Sequence, residues 1–195
     1  MNDELDENIA WADFVKGDKK SFEFIYNSYY GPLLNYATKF DLDLWFIEEA
    51  IQDLFVKLWK NRANLNQPGS IKFYLFRALK NCIYNKIKIS HREVYIGDES
   101  DMLAFDLHFH PVYHEGQDSD QLIKKLLEPL TERQKEAVYL FYVEDMGYKE
   151  IADLLKIKIG GAYKLIYRAL AGIREQAKDL DVAHKVADLP AKMRF

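Results

Sequence analysis

The amino-acid sequence predicts an all-α protein with two small helical domains joined by a flexible linker, the C-terminal domain being a helix-turn-helix. Three observations predict this class. Apolar residues recur at spacings of three and four, and the aliphatic runs lack the strict alternation of strands. Glycine and proline are few, 9 and 5 among 195 residues. Between residues 93 and 120 the helical period is lost, and Gly, Pro, Asp and Ser residues accumulate as in linkers.

The loss of helical period sets the predicted boundaries. They are a first domain at 1–92, an acidic linker at 93–120, a second domain at 121–180 and a tail at 181–195. Hydrophobic residues make up 49% of the chain, which is sufficient for packed cores. The single cysteine, Cys82, excludes an internal disulfide and fits a reducing compartment.

The sequence also predicts a cytoplasmic protein without membrane insertion. No apolar run approaches the roughly 18 residues that a membrane span needs. The N-terminal stretch MNDELDENIAWAD is acidic, unlike a secretory signal or a transit peptide.

Charge is distributed in blocks, although the formal net charge is only −4. Residues 57–92 contain nine basic and no acidic side chains, and residues 156–174 contain five basic and no acidic ones. Residues 93–120 contain eight acidic side chains and no Lys or Arg. A single basic block is an ordinary solvated helix face about as often as it is a binding surface for a polyanion. Two such blocks on helical patterns favour a polyanionic partner.

The first domain begins with two predicted helices, at residues 5–16 and 19–40, followed by the amphipathic segment DLDLWFIEEAIQDLFVKLWKNR. In that segment Asp43 is the predicted N-cap. One face is apolar, and the opposite face carries Glu49, Gln52 and Asp53. The polar face is interpreted either as the solvated side of a core helix or as a docking surface for the helices of a partner.

A loop, NRANLNQPGS, and a second basic helix, SIKFYLFRALKNCIYNKIKISHR, complete the first domain. Basic residues interleaved with exposed aromatic rings are typical of single-stranded nucleic-acid binding, because the cations neutralise phosphates and the rings receive unstacked bases. The residues predicted to face outward from the helix are Lys72, Phe73, Phe76, Arg77, Lys80, Asn81, Tyr84, Lys88 and Arg92.

The second domain is predicted as a helix-turn-helix. Thr131 and Gln134 form a capping-box pattern at the start of a helix that ends near Asp145. A short helix in KEIADLLKI and a turn at 156–158 then precede a helix from about Ile159 to Lys178. Such a helix fits the major groove of B-DNA. Its predicted outer face carries Tyr163, Lys164, Tyr167, Arg168 and Arg174.

The order of these motifs resembles one bacterial family. FEFIYNSYYGPLLNYA, EEAIQDLFVKLWKNR, YLFRALKNCIYNKI, an acidic linker, LTERQKEAVYLFYVEDMGYKEIADLLKI and YRALAGIRE together resemble extracytoplasmic-function sigma factors, which are small alternative initiation subunits of RNA polymerase. The resemblance covers residues 10 to 176 and is carried most specifically by EEAIQDLFVKLW and LTERQKEA…YKEIADLL…RAL..IR.

The resemblance implies a role for each domain. The first domain would be the region-two domain, with Glu49, Gln52 and Asp53 on the helix that binds the β′ clamp of core RNA polymerase. The loop from Asn61 to Ser70 would bind a flipped base of the non-template strand. The second domain would be the region-four domain, reading the minus-35 duplex, with residues 126–141 near the β flap. An anti-sigma factor is a further implied partner.

The residues that the resemblance and the charge pattern assign to promoter DNA lie in three groups. The loop contributes Asn61, Arg62 and Asn64, and the following helix contributes Lys72, Arg77, Lys80, Asn81, Tyr84 and Lys88 towards the minus-10 element. The helix-turn-helix contributes Lys158, Tyr163, Lys164, Tyr167 and Arg168.

The start of the last helix departs from the family pattern. Family members have a Ser or a similar cap where Lys158 stands, and here Ile159-Gly160-Gly161 follows. Two glycines have no side chains to reach bases. Their backbone is able to approach a phosphate closely.

Two other classes of function fit the sequence less well. A helix-turn-helix regulator acting without polymerase predicts dimerisation across half-sites, but no dimerisation heptad is present. A metalloenzyme would use His108, His110 and His114, but Pro111 breaks any helix there and no Cys or Glu nearby completes the set. Because no Gly-rich phosphate loop, nucleophile motif or acid pair is present either, the sequence predicts no enzyme, cofactor or metal.

Overall fold

The computed structural model describes residues 3–90, 104–107 and 117–181 of the chain. Within these ranges it contains eight α-helices, one 3-10 turn and no β-strand, which confirms the all-α prediction. The chain divides into two compact units, Met1–Leu103 and Ala104–Phe195. None of the helices in the described ranges is long and apolar enough to cross a membrane.

The first unit contains four α-helices and a short 3-10 turn, in the order α1 (Asp3–Val15), α2 (Lys19–Ala37), α3 (Leu44–Asn61), the 3-10 turn (Arg62–Asn64) and α4 (Ile71–Ser90). The predicted cap of α3 is confirmed, because the Asp43 carboxylate accepts a 2.8 Å hydrogen bond from the backbone N–H of Trp45. The cap satisfies one of the N–H groups that a first helical turn leaves without an intrahelical acceptor.

The core of the first unit lies where α2, α3 and α4 pack against one another. Its fully buried side chains come from all three helices and include Ile25, Leu33, Ile47, Ile51, Leu75, Leu79 and Ile83. Burial of one Leu or Ile side chain is worth about 1.5–3 kcal/mol. These contacts therefore hold α3 and α4 at fixed positions, so that the outer faces of both helices are rigidly placed.

The predicted outer face of α4 is wrong at three positions. Phe76, Lys80 and Tyr84 follow one another at a spacing of four and are all buried. The Phe76 ring lies 5.1 Å from the ring of Tyr36 on α2. Because α4 packs against α2 as well as α3, its buried arc is wider than one amphipathic stripe, and the periodicity of α4 alone does not reveal the second contact.

The second unit contains four α-helices, α5 (Gln117–Leu127), α6 (Glu132–Tyr142), α7 (Tyr148–Leu154) and α8 (Ile159–Asp179). The predicted capping box is confirmed. The Thr131 hydroxyl accepts from the Gln134 backbone N–H at 3.3 Å, and the Gln134 side chain accepts from the Thr131 N–H at 2.9 Å. Helix α8 buries small and branched residues at spacings of three and four, namely Ala162, Ile166, Ala169, Leu170, Ile173 and Ala177.

The turn between α7 and α8 has a defined geometry. Lys156 has a positive φ of 53°, and the N–H of Ile157 donates to the carbonyl of Ala152 at 2.9 Å. These features form a Schellman motif, which ends α7 sharply. The two helices are thereby joined as the predicted helix-turn-helix.

Part of the predicted linker lies within the described residues of the second unit. The Phe105 ring is buried and lies 6.0 Å from the ring of Tyr139 on α6, and the Asp106 carboxylate accepts a 3.1 Å hydrogen bond from the Lys135 ammonium. Helix α5 begins at Gln117, inside the predicted linker range. The His108, His110 and His114 cluster lies outside the described residues.

Candidate functional site

The polar face of α3 presents the residues assigned to docking. Glu49, Gln52 and Asp53 lie at spacings of three and four, with Gln52 exposed and both carboxylates half-buried. The Lys86 ammonium of α4 reaches across to this face. It lies 2.8 Å from an Asp53 oxygen and 3.2 Å from a Glu49 oxygen. The two docking carboxylates are thus tied to the helix that follows the loop.

The electrostatic balance at Lys86 favours the charged ammonium. Its partial burial acts to lower the pKa, but the hydrogen bonds to Asp53 and then Glu49 outweigh that effect and hold the pKa above its ordinary value. The ion pairs therefore persist at neutral pH. The sequence reasoning missed Lys86 because its partners lie 33 and 37 positions away along the chain.

The sequence reasoning also missed two apolar neighbours on the docking face. Trp45 is 69% exposed and Val56 is 45% exposed. Together with Glu49 and Gln52 they fall at positions 45, 49, 52 and 56, which is one face of a helix. An exposed indole on a mixed polar face is characteristic of protein interfaces. In the sequence, the spacing of four residues between Trp45 and Glu49 already indicated that both side chains lie on the same face of the helix.

The loop after α3 has an ordered start. The Arg62 guanidinium lies 4.3 Å from the centroid of the Trp59 ring, and its Nη1 donates to the Trp59 carbonyl at 2.8 Å. Asn61 and Asn64 are exposed on either side, while Arg62 is half-buried. Stacking on an aromatic ring and bonding to a carbonyl restrict the arginine to one direction. The loop therefore presents two free amide side chains beside a fixed cation.

Helix α4 presents a narrower set of polar residues than the sequence predicts. Arg77, Asn81 and Lys88 are exposed, and Lys72 is half-buried. Lys80 is only 6% exposed, and its ammonium lies 5.9 Å from the Tyr84 ring centroid and 6.0 Å from that of Phe40. The placement of Lys80 and Tyr84 on the outer face is therefore wrong. Arg77, Asn81 and Lys88 remain together at spacings of four and seven.

The second unit exposes the predicted outer face of α8. Tyr163, Lys164, Tyr167 and Arg168 all face solvent, and Tyr167 is 71% exposed. The Tyr163 ring stacks on the Tyr148 ring of α7, with centroids 3.8 Å apart and planes 22° apart. This stack fixes the direction of Tyr163, whereas Tyr167 and its basic neighbours are fully presented.

The first turn of α8 begins at Lys158, which is exposed and makes no side-chain capping hydrogen bond. A Cβ atom added to Gly160 would meet nothing within 4 Å. One added to Gly161 would make only ordinary contact with Ile157, at 3.7 Å. Neither glycine is required by packing within the chain, so the open space in front of Gly160 is available to an external group.

Among the described residues, no group of three or more His, Cys, Asp or Glu side chains is arranged to hold a metal ion. The outer faces described above instead combine cations, amides and aromatic rings. These are the groups that bind phosphates, base edges and unstacked bases.

Two protein-family models match the chain, one on each unit. Sigma-70 region 2 matches residues 25–93, and Sigma-70, region 4 matches residues 120–171. The first match spans α3, the loop and α4, and the second spans the helix-turn-helix.

Curated relatives align over most of their length. The RNA polymerase sigma-H factor of Pseudomonas aeruginosa is 22% identical over 177 residues, covering 85% of this chain and 90% of that protein. The ECF RNA polymerase sigma-E factor of Haemophilus influenzae is 22% identical over 196 residues, covering 92% of this chain and all of that protein (100%).

Two solved structures that share the fold are both complexes with a partner protein. The sigma factor RpoE of Bartonella quintana, in complex with the anti-sigma factor NepR, matches with a TM-score of 0.59 and 23% identity, covering 82% of this chain and 98% of that one. CnrH, in complex with the cytosolic domain of CnrY, matches with a TM-score of 0.58 and 17% identity, covering 89% and 98%. At these identities the likeness establishes the shared fold.

Proposed function

Because this chain belongs to the extracytoplasmic-function sigma factors, we propose that its two units divide the work of promoter recognition. The protein is an alternative sigma factor that binds core RNA polymerase and directs promoter-specific initiation at the minus-10 and minus-35 elements. The finer assignment of residues to these contacts is the proposal, and it is supported by the exposed faces of α3, α4 and α8.

The observation that carries the proposal is the placement of α3 and α4 in one rigid unit. Glu49, Gln52 and Asp53 point outward from α3, while Arg77, Asn81 and Lys88 are exposed on α4. Shared core contacts and the Lys86 ion pairs join the two helices. A protein partner bound at α3 would therefore fix the position of α4 relative to the strand being opened.

The loop from Asn61 to Ser70 is proposed to accept the flipped base. Removal of a base from the stack costs a few kcal/mol. The loop offers Asn61 and Asn64 to the Watson–Crick edge of the base and a fixed Arg62 to the adjacent phosphate. Arg77 and Lys88 then neutralise the phosphates of the separated strand. Binding of the strand in this way offsets the cost of opening without ATP.

Helix α8 is proposed to read the minus-35 duplex. Tyr163, Lys164, Tyr167 and Arg168 are presented together on the face that would enter the major groove. Lysine and arginine donate to phosphates and guanine edges, and tyrosine rings contact thymine methyl groups. The proposed extents are those predicted, 1–92 and 121–180 for the domains, 93–120 for the linker and 181–195 for the tail, except that the second domain starts at Gln117, where α5 begins.

The protein is proposed to act in the cytoplasm, where its partners lie, and to contribute no catalysis of its own. RNA synthesis belongs to the polymerase. An anti-sigma factor is a proposed third partner, because one solved neighbour is a sigma factor in complex with an anti-sigma factor. Residues 126–141, which include all of α6 except its last residue, are proposed to face the β flap of the polymerase.

The direct test is transcription by the reconstituted holoenzyme. The purified chain is added to core RNA polymerase with a library of genomic fragments, and RNA 5′ ends are sequenced. We expect start sites that are absent with core enzyme alone and that share two sequence elements upstream. Duplex binding without polymerase, combined with unchanged start sites, would instead support a helix-turn-helix regulator.

A further inference from the structure

Helix α1 lies before the segment that matches region 2, which begins at residue 25. It has no part in the functional assignment made above. Its contacts nevertheless reach the loop from Asn61 to Ser70, more than 50 positions away along the chain. The contacts occur at several points along both the helix and the loop.

The first contact is made by a buried indole. Trp11 is fully buried (0% exposed), and its Nε1 donates a 3.2 Å hydrogen bond to the carbonyl of Asn66 in the loop. The ring is held edge-on by Phe14 at 5.3 Å and by Tyr74 of α4 at 5.4 Å. A buried indole N–H has few alternative acceptors, so the loop backbone is held at this point.

The second contact is between side chains. The Gln67 Nε2 donates a 2.7 Å hydrogen bond to Oδ1 of Asn8, one turn before Trp11. Two residues after the end of α1, Gly17 has a φ of 101°, and a Cβ atom added there would lie 3.5 Å from Nε of Arg62. Helix α1 thus lies against the 3-10 turn at the start of the loop and bonds to Asn66 and Gln67 further along it.

A neighbouring face of α1 contacts α2. The Tyr29 hydroxyl donates a 2.6 Å hydrogen bond to the Glu7 carboxylate, and the Phe14 and Phe22 rings stack at 5.6 Å. Helix α1 therefore contacts both α2 and the loop. A displacement of the loop would require these contacts to break or α1 to move with it.

We propose that α1 holds the base-accepting loop in its binding conformation, with Asn8 and Trp11 as positioning residues for minus-10 selectivity. This inference rests on the proposed role of the loop. Ordering one backbone residue costs about 1–2 kcal/mol, so a loop ordered in advance binds a flipped base more tightly. A fixed loop also discriminates better between bases, because a wrong base leaves its polar groups unpaired.

The test uses the full chain in holoenzyme with a promoter library in which the minus-10 and minus-35 segments are randomised. Heparin-resistant open complexes are recovered and sequenced, and the ratio of the most to the least enriched base is measured at each position. The variants are Asn8→Ala, which loses the acceptor for Gln67, and Trp11→Phe, which keeps a ring but loses the indole N–H. Asn8→Asp keeps an acceptor and is the conservative variant.

We expect Asn8→Ala and Trp11→Phe each to flatten the minus-10 base preference about threefold to tenfold, the range for loss of one hydrogen bond. Asn8→Asp should restore the preference. Minus-35 preferences and core affinity should stay unchanged. Ile9→Ala, an exposed neighbour on α1, is the matched control and should behave as the wild type.

Three results would overturn the inference, and they differ in what they say about the loop. If the wild type shows a minus-10 preference that Asn8→Ala and Trp11→Phe leave intact, the positioning role is wrong and the proposed function of the loop stands. If these variants reduce minus-35 preference or core affinity equally, α1 serves only the stability of the fold, and the inference is again overturned. A wild type without any minus-10 preference would remove the proposed role of the loop and this inference together.

Discussion

Lys86 shows how one side chain connects two faces of the first unit. Its ammonium bonds to Asp53 and Glu49, so the charge of the docking face depends on a residue of α4. The side chains of all three residues are partly exposed, and each ion pair is therefore worth only a few tenths of a kcal/mol to about 1 kcal/mol.

Lys86→Met should lower the free energy of unfolding by about 1 kcal/mol at pH 7. The pKa of Lys86 is higher in the folded protein than its ordinary value of 10.5. The ion pairs of Lys86 therefore stabilise the fold fully below pH 10.5, and this stabilisation is lost as the pH rises through the pKa of the folded state. Denaturant unfolding of wild type and variant at pH 7 and at high pH measures this. Lys60→Met, which changes an exposed lysine of α3, is the control. If Lys86→Met destabilised the protein as much at high pH as at pH 7, the ion pairs of Lys86 would not be the source of the stability.

At the same scale, the sequence predicts most exposed site residues but misplaces Lys80 and Tyr84. Gln52, Asn81, Tyr167 and Arg168 follow from the helical period alone. Lys80 does not, because its burial depends on Phe40, which lies 40 positions earlier. Such a contact is a property of the packing of α4 and is invisible to a local pattern.

Among the elements, α8 combines a well-packed inner face with a first turn that contains two glycines. The Cβ of an alanine at position 160 would project into open space, and one at position 161 would touch Ile157. Glycine costs a helix about 1 kcal/mol relative to alanine. Among the residues that the structure describes, no contact requires a glycine at either position and so offsets this cost. We propose that the close approach of an external phosphate is the reason for the glycines.

Gly160→Ala and Gly161→Ala should each raise the stability of the second unit by about 0.5–1 kcal/mol. Only Gly160→Ala should weaken binding of holoenzyme to the minus-35 duplex, by about threefold or more, because its methyl group would stand between backbone and phosphate. Thermal unfolding and fluorescence anisotropy measure the two effects. Equal duplex affinity for both variants would argue against a close approach at Gly160.

Two helix starts follow directly from capping residues in the sequence, whereas the start of α5 does not. Asp43 and the Thr131–Gln134 box set the starts of α3 and α6, as the sequence indicates. Helix α5 begins inside the acidic segment, where eight acidic residues and the loss of helical period indicate a linker. The contact of Phe105 with Tyr139 on α6 was not predicted, although Phe105, Leu107 and Phe109 alternate with polar residues, a period-2 pattern that indicates an extended segment with one apolar side.

For the whole molecule, the arrangement of charge in blocks matters more than the net value of −4. One basic block supplies α4 and the loop, and the other supplies α8. We expect a sigma factor of this low net charge to bind free DNA weakly, because the acidic segment offsets the long-range attraction of the basic faces. Promoter binding is then expected to depend on the polymerase, which holds both units at once.

The central claim is that polymerase docking and strand binding use separate faces of one rigid unit. The most direct measurement determines core affinity and open-complex yield for two double variants in the same assay. Gln52→Ala with Asp53→Ala alters the docking face, and Arg77→Glu with Lys88→Glu alters the strand face. Lys80 is left unchanged, because a glutamate there would be buried.

The docking variant should lose core affinity about tenfold, equal to 1.4 kcal/mol. The strand variant should keep core affinity within about twofold and lose open complexes about tenfold or more, because two phosphate contacts become repulsive. Equal losses of core affinity and open-complex yield in both variants would contradict the separation of the two faces.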